Sequence, residues 1–341
     1  MKIQKNAKRC AFLMTLFLLI GLLALPAAAE QRPTLTVGGT HFGVRFVTDG
    51  ILVVNYCDVR CEGRLQNPAR AAGLKPGDCI CAVNGRTVGS AGELTRAIET
   101  GGKQPLCLSF TRDGQERSVT LTPLPCDEDG RLRTGLFVRD RGAGIGTVTF
   151  IDDQNGFGGL GHGICDGESG ALIPLERGSV TDVTVSEIHR GKAGAPGELR
   201  GHFSAGRRGV LTQNTPCGVF GTLTELPASL GERLPIAYRS EVHEGPATLR
   251  CALDSSTPHD YAIEISSIRK NADGNKCFTV RVTDPDLLSK TGGIIQGMSG
   301  SPIIQDGHLI GAVTHVLIGD PTTGYGIFIE NMLSNMAVAL S

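Results

Sequence analysis

The chain has 341 residues and near-balanced charge, 33 Lys and Arg against 34 Asp and Glu, for a formal net charge of −1 with histidines neutral. That balance speaks against nucleic acid as a partner, because such domains carry a basic patch, and the length admits two domains of ordinary size. The 47 glycines in a chain that is 40% hydrophobic point to many turns joining short strands, hence mainly β structure.

In chain order, Lys2, Lys5, Lys8 and Arg9 precede an apolar run from Ala11 to Leu25 that ends in Pro26-Ala27-Ala28-Ala29. This reads as a secretory signal over residues 1–29. The run is short for a spanning helix, so cleavage is favoured and a retained anchor is the alternative. Residues 30–39 read as a polar linker. Residues 40–125 read as one module, in which Gly43-Val44-Arg45-Phe46 leads into the strand Ile51–Val54. A short helix follows in Pro68–Asp78, capped by Gly73, and the strand Ile80–Val83 closes in an Asn84-Gly85 turn. Leu94 and Ile98, four residues apart, predict a helix over Ala91–Glu99. Leu106–Leu121 predicts a hairpin around Asp113-Gly114. This order, with the signature P-A-x-x-A-G-L-x-x-G-D from Pro68 to Asp78, resembles a PDZ domain. The resemblance implies that Gly43, Val44, Arg45 and Phe46 bind an extended peptide by strand addition. The alternative is a spacer that only packs on its neighbour.

Residues 126–133 read as a linker. Of eleven cysteines, Cys10 falls in the signal and ten lie beyond it. Cys57 with Cys61, and Cys79 with Cys81, lack a companion histidine pair, so structural or disulfide roles rank above a metal site. No cofactor is expected.

From residue 134 to 341 the chain is a procession of short alternating segments, such as Val180–Ile188, Gly218–Leu223 and Tyr261–Ser266, which is the sequence form of β-barrels. Within it, Gly297-Met298-Ser299-Gly300-Ser301-Pro302 opens into β-branched residues. Glycines allow the tight turn that presents a hydroxyl to a carbonyl carbon. Ser299 is the candidate nucleophile, and the N–H groups of Gly297 and Ser299 the candidate oxyanion hole. A plain Gly-Ser-Pro turn is the bland alternative. A serine needs a base held by a third group. Leu160-Gly161-His162-Gly163-Ile164 supplies His162, set between glycines that let a substrate backbone approach. Asp284, at the end of the strand Cys277–Val282, is the candidate orienting carboxylate, or an Asx-Pro turn. His315 could also face the cleft, and Cys165 is a rival nucleophile, although three residues from His162 is too near for attack geometry.

The segments Gly135–Asp140, Ala143–Phe150, Leu160–Ile164, Thr291–Pro302, Gly311–Val316 and Gly324–Ile329 together look like the SpoIVB peptidases, the stage IV sporulation protein B family. The resemblance covers nearly the whole chain. It implies a PDZ-like domain followed by a chymotrypsin-like double β-barrel peptidase domain, with the catalytic pair on His162 and Ser299 and the family aspartate on Asp284. It further implies a serine endopeptidase acting between the two membranes of a developing endospore. There it would cleave itself and a membrane-bound regulator, leading to activation of a late sigma factor. The competing reading is an inert scaffold whose PDZ module recruits a partner.

Overall fold

The computed structural model describes residues 32–226, 231–253 and 257–338. The segment read as an export signal, residues 1–29, lies outside them. The strands run in chain order as β1 (Thr34–Val37), β2 (His41–Tyr56), β3 (Val59–Cys61), β4 (Arg64–Gln66), β5 (Cys79–Val83), β6 (Arg86–Thr87), β7 (Leu106–Arg112), β8 (Gln115–Leu121), β9 (Leu124–Pro125), β10 (Leu132–Arg133), β11 (Leu136–Ile151) and β12 (Gly156–Gly159). They continue as β13 (Leu175–Thr181), β14 (Val183–His189), β15 (Glu198–Phe203), β16 (Gly209–Thr215), β17 (Gly218–Leu223), β18 (Arg233–Pro235), β19 (Gly245–Cys251), β20 (His259–Ser266), β21 (Phe278–Val282), β22 (Pro302–Gln305), β23 (His308–Leu317) and β24 (Asp320–Phe328). Among the described residues the helices are α1 (Pro68–Ala71), α2 (Ala91–Gly101), α3 (Pro285–Thr291) and α4 (Ile329–Val338).

The architecture follows from which apolar faces must be covered. Alternation along β2 and β11 buries Phe42, Val44, Phe46 and Val148 inside a ring that closes through β12, β17, β16 and β13 back to β2. Strands β19, β20, β21, β24, β23 and β22 close a second barrel around Leu249, Ile263, Val280, Ile303, Val313 and Ile327. Closure removes the open edges that would otherwise invite foreign strands. The chain is therefore mainly β, as the composition predicts.

The PDZ-like module has its own core, with Ile51, Val53, Leu74, Ile80, Leu106 and Phe110 buried. Its predicted helices are present. Asn67 caps α1 and Pro68 opens it, while Gly73 ends the turn at φ +87°. Ser90 caps α2 by accepting from the Glu93 N–H at 3.2 Å, and Leu94 and Ile98 form its buried face. Asp78 is buried against Arg112 at 2.6 Å.

Two sequence boundaries change. Residues 30–39 are not a plain linker, because Thr34–Val37 pairs with both β11 and β18. Residues 126–133 are not a free linker either. They form the turn of the β9–β10 hairpin, and the Asp127 carboxylate accepts from the Glu62 and Gly63 N–H groups, each at 2.9 Å. The PDZ module is also not a bead placed before the barrels. It is inserted into the first barrel, because β2 and β11 each run continuously through both bodies. Residues 41–47 of β2 pair with Arg141–Thr147 in the barrel, and Leu52–Tyr56 pair with Leu136–Arg139 in the PDZ module. All ten cysteines among the described residues are thiols, six of them buried.

Candidate active site

The serine turn is held from three sides. Gly297 and Gly300 take φ values of +100° and +92°, left-handed conformations that glycine adopts without strain. At Gly300 a Cβ would also lie 2.2 Å from the Thr147 carbonyl oxygen. Thr147 and Thr149, two residues apart on β11, present both side chains to the same face. Their hydroxyls donate to the carbonyls of Gly297 at 2.8 Å and Gly300 at 2.7 Å. The Thr147 N–H donates to Ser299 O at 3.0 Å, the Gly300 N–H to Val313 O at 2.8 Å, and the Ser301 hydroxyl to Met298 O at 2.6 Å. These bonds turn the carbonyls of the turn away from the cleft. The N–H groups of Gly297 and Ser299 are left without a partner among the described residues, as an anion-binding pair requires.

The histidine loop is equally constrained. Leu160 and Gly161 have φ of +64° and +66°, and a Cβ on Gly161 would meet Thr314 Cγ2 at 3.0 Å. This close approach of β23 sets His162 at the mouth of the first barrel. Its Nδ1 donates to Gly163 O at 2.8 Å. A carbonyl can only accept, so this bond fixes the proton on Nδ1 and leaves the lone pair on Nε2. Asn214 clamps the loop behind the ring: its amide donates to Ile164 O and Ile173 O, both at 2.9 Å, and accepts from the Ile164 N–H at 2.7 Å. Burial lowers the pKa of His162, so the ring is neutral at physiological pH.

His315, on β23, stacks against His162 with ring centroids 4.8 Å apart and planes inclined at 36°. Burial first, then the charges of His162 and Lys276, push His315 down to about 4. Two neutral rings can pack at this distance, whereas two imidazolium ions would repel. The Ser299 hydroxyl donates to Thr314 O at 2.8 Å, the residue next to His315. The nucleophile candidate is thus parked on a backbone carbonyl rather than on the base. A cleft of about 440 Å³ runs past Ser299, Gly297, His162 and His315, walled by apolar side chains such as Ile145, Ile295 and Val316.

Of the residues singled out in the sequence, Ser299, Gly297, His162, His315 and Cys165 share this cleft. Burial raises the Cys165 thiol, which disfavours the thiolate that a nucleophilic cysteine needs. Asp284 is not beside the histidine. Its Oδ1 accepts from the Asp286 and Leu287 N–H groups at 2.9 and 3.1 Å, and its Oδ2 from the Ala262 N–H at 3.2 Å, so it is the N-cap of α3. Among the described residues no carboxylate lines the cleft. Gly43–Phe46 is likewise not a peptide-binding edge. It is paired on both sides, with Gly142–Ile145 of β11 and with Gly178–Thr181 of β13, so strand addition has no place there. Val44 instead contributes to the wall of the cleft that holds Ser299 and His162. The threonines of Thr147-Val148-Thr149 and the amide of Asn214 escaped the sequence reading. The one signal was two hydroxyls at i and i+2 on an otherwise apolar strand.

Comparison with known proteins bears on the same two regions. A PDZ domain matches residues 41–122 and a SpoIVB peptidase S55 domain matches residues 130–333. The zinc metalloprotease RasP of Geobacillus kaustophilus (strain HTA426) is 39% identical over 82 residues, which is 24% of this chain and only 20% of that protein's length. Among solved structures, the PDZ domain of the SdrC-like protein from Listeria monocytogenes covers 26% of this chain and 87% of its own, at 20% identity and a TM-score of 0.22. The active form of the Rv3671c protease from M. tuberculosis covers 57% of this chain and 74% of its own, at 13% identity and a TM-score of 0.34. The S55 match takes in the serine turn, the histidine loop and most of both barrels, and with it this chain belongs to the SpoIVB peptidase S55 family, as a serine endopeptidase that carries a PDZ domain.

Proposed function

We propose that Ser299 is the nucleophile, that His162 is its general base through Nε2, and that the N–H groups of Gly297 and Ser299 bind the oxyanion. The observation that carries this reading is the pair of N–H groups, of Gly297 and of Ser299 itself, without a partner among the described residues, in a cleft shared with a neutral histidine. When substrate enters, rotation about the Ser299 side chain takes the hydroxyl from Thr314 O to His162. His162 accepts the proton as the oxygen attacks the scissile carbonyl, and the tetrahedral oxygen falls between the two N–H groups, each worth about 3 to 4 kcal/mol of transition-state stabilisation. His162 then protonates the leaving amine, and water completes the cycle in the same way. Gly163 O and Asn214 do here what an orienting carboxylate does in other serine peptidases, namely hold the tautomer and the ring. A neutral carbonyl stabilises imidazolium less than a carboxylate does, so the rate lent by the base is smaller than in a full triad.

By the family resemblance we assign those substrates as the chain itself and a membrane-bound regulator of sigma-factor processing. The site of action is the space between forespore and mother-cell membranes, reached through the N-terminal basic and apolar segment, whether cleaved or retained. A second reading, an inert scaffold, is favoured by the bond from Ser299 to Thr314 O. Mapping the adduct of a fluorophosphonate probe on the purified full chain separates the two. One adduct on Ser299, lost in His162→Ala, is the result expected of the peptidase. A folded protein without an adduct supports the scaffold. Ser299→Ala is expected to abolish self-cleavage with the fold intact.

A further inference from the structure

The strand edge by which PDZ domains take ligand peptides is already filled in this chain, by a segment that lies outside the PDZ match. Leu136, Phe137, Val138 and Arg139 of β11 pair antiparallel with Tyr56, Asn55, Val53 and Leu52 of β2. Leu136 and Val138 pack on the PDZ core, while Phe137 between them is 50% exposed. Both ends of the segment are clamped to α2. Asp140 accepts from the Ala91 N–H at the start of that helix at 2.9 Å, and Arg131 donates to Glu99 in its last turn at 2.6 Å. Behind it, the Cys57 N–H and the Asn67 amide donate to Gly135 O, each at 2.9 Å. This is a bound ligand strand in every respect except that it belongs to the same chain.

The pairing is regular in the barrel half of β11 and broken in the PDZ half, with register shifts between Phe137 and Val138 and between Arg139 and Arg141. Such shifts localise bending and weaken a ladder. The PDZ half is therefore the part of β11 that can exchange.

Its release reaches both halves of the active site. Arg139 donates to Asp166 at 2.7 Å, and Asp166 is fully buried on the loop that carries His162. The same carboxylate accepts from Ser169 and Glu168, and Glu168 in turn accepts from Asn55 of the PDZ edge at 2.8 Å. At the other end, β11 places Thr147 and Thr149 on the serine turn. We infer that Leu136–Arg139 is a displaceable internal ligand of the PDZ module. A partner or substrate offering an extended strand, with apolar side chains at alternate positions and a carboxylate two residues after the second, takes its place and frees the catalytic turns from the parked arrangement. The linkage to catalysis rests on Ser299 being the nucleophile; the exchange itself does not.

The test uses the full chain and a synthetic peptide copying residues 132–140. Occupancy in cis reduces apparent affinity by the fraction of time the edge is open. Arg131→Ala and Asp140→Ala, which remove one clamp each, are expected to tighten peptide binding by about tenfold over the parent. Hydrogen exchange at Leu136–Arg139 is expected to accelerate in both, together with the amides of 166–169 on the histidine loop, to which Arg139 is bonded. Fluorophosphonate labelling of Ser299 is expected to rise by about threefold or more. Arg131 is exposed and its loss leaves the core untouched, so the pair of variants guards against misfolding of either. Equal peptide affinity in parent and variants overturns the inference, as does faster exchange confined to Leu136–Arg139 with the labelling rate unchanged or lowered. Should Ser299 fail to label in every form, the catalytic assignment falls, while peptide binding and exchange still decide whether the segment is a displaceable ligand.

Discussion

The two barrels are built to different plans. The second is contiguous in sequence from β19 to β24, each strand pairing with the next along the chain except where β21 meets β24 and β22 closes on β19. The first draws β2 from one side of the PDZ insert and β11 from the other. The contiguous barrel carries the serine turn and its glycines, and the interrupted barrel carries the histidine loop and the threonines that hold that turn. In the proposed mechanism one barrel supplies the reacting oxygen and the other its posture. What the difference teaches is that the half of the site most easily read in the sequence depends for its geometry on the half that the PDZ module interrupts.

The sharpest way to break this division of labour is Gly300→Ala. The new methyl meets the Thr147 carbonyl at a φ of +92°, and strained backbone alone costs about 1 to 3 kcal/mol. Loss of Ser299 labelling and a clear drop in the urea midpoint are expected. A variant that labels at the parental rate would show that the first barrel does not brace the turn. Thr147→Val tests the same contact more gently. It leaves a buried carbonyl on Gly297 unpaired, at about 1 to 3 kcal/mol. Labelling is expected to slow by about a hundredfold, the scale of ångström-level misplacement, with circular dichroism unchanged.

Asp284→Ala probes the contiguous barrel. As a helix cap its loss costs about 1 kcal/mol of stability, read as a lower denaturation midpoint, with labelling of the folded protein near the parental rate. A fall approaching 10⁴-fold, as when an orienting aspartate is lost, would return it to the catalytic machinery.

The smallest expected effect is on pH dependence. Burial lowers His162 below 6.5, so the free base persists into mildly acid solution and the acid limb of labelling lies below that value. The folded pKa values of both His162 and His315 lie under those of the unfolded chain. The unfolded state therefore takes up protons first, and stability, full above 6.5, declines as the pH falls toward about 4, where His315 titrates. A midpoint that rises on acidification would contradict the burial of the pair.

The serine turn and the histidine loop were legible as local features because Gly161, Gly297 and Gly300 at left-handed positions leave a mark in the sequence that few other demands produce, and the fold brings the two into one cleft. Asp284 was misread because Asp-Pro serves two purposes with the same letters: it ends a strand, and it caps a helix with proline at the first position. Gly43–Phe46 was misread for a different reason. The polar Thr48-Asp49-Gly50 breaks the apolar pattern between Phe46 and Ile51, and nothing in it reveals that one strand runs through and exchanges β13 for β5 there. His315 and Asn214 lie far along the chain from the histidine loop, and only closure of the barrels brings the one against the His162 ring and the other against Ile164. The barrels themselves were foreseen from short alternating segments, but the insertion of one domain into another was not.

The continuous strands β2 and β11 also bear on how the molecule comes to fold. Bringing Val47 beside Arg141 across an unstructured chain would carry a loop-closure penalty that grows with the intervening length. An insert that folds early, drawing Leu52–Tyr56 to Leu136–Arg139, delivers both strands in register and shortens the effective loop to the bulge between Val47 and Leu52 and to Asp140 opposite it. Sequence variation that slows the PDZ module is then felt as slow maturation of the protease, even where the finished enzyme is unchanged.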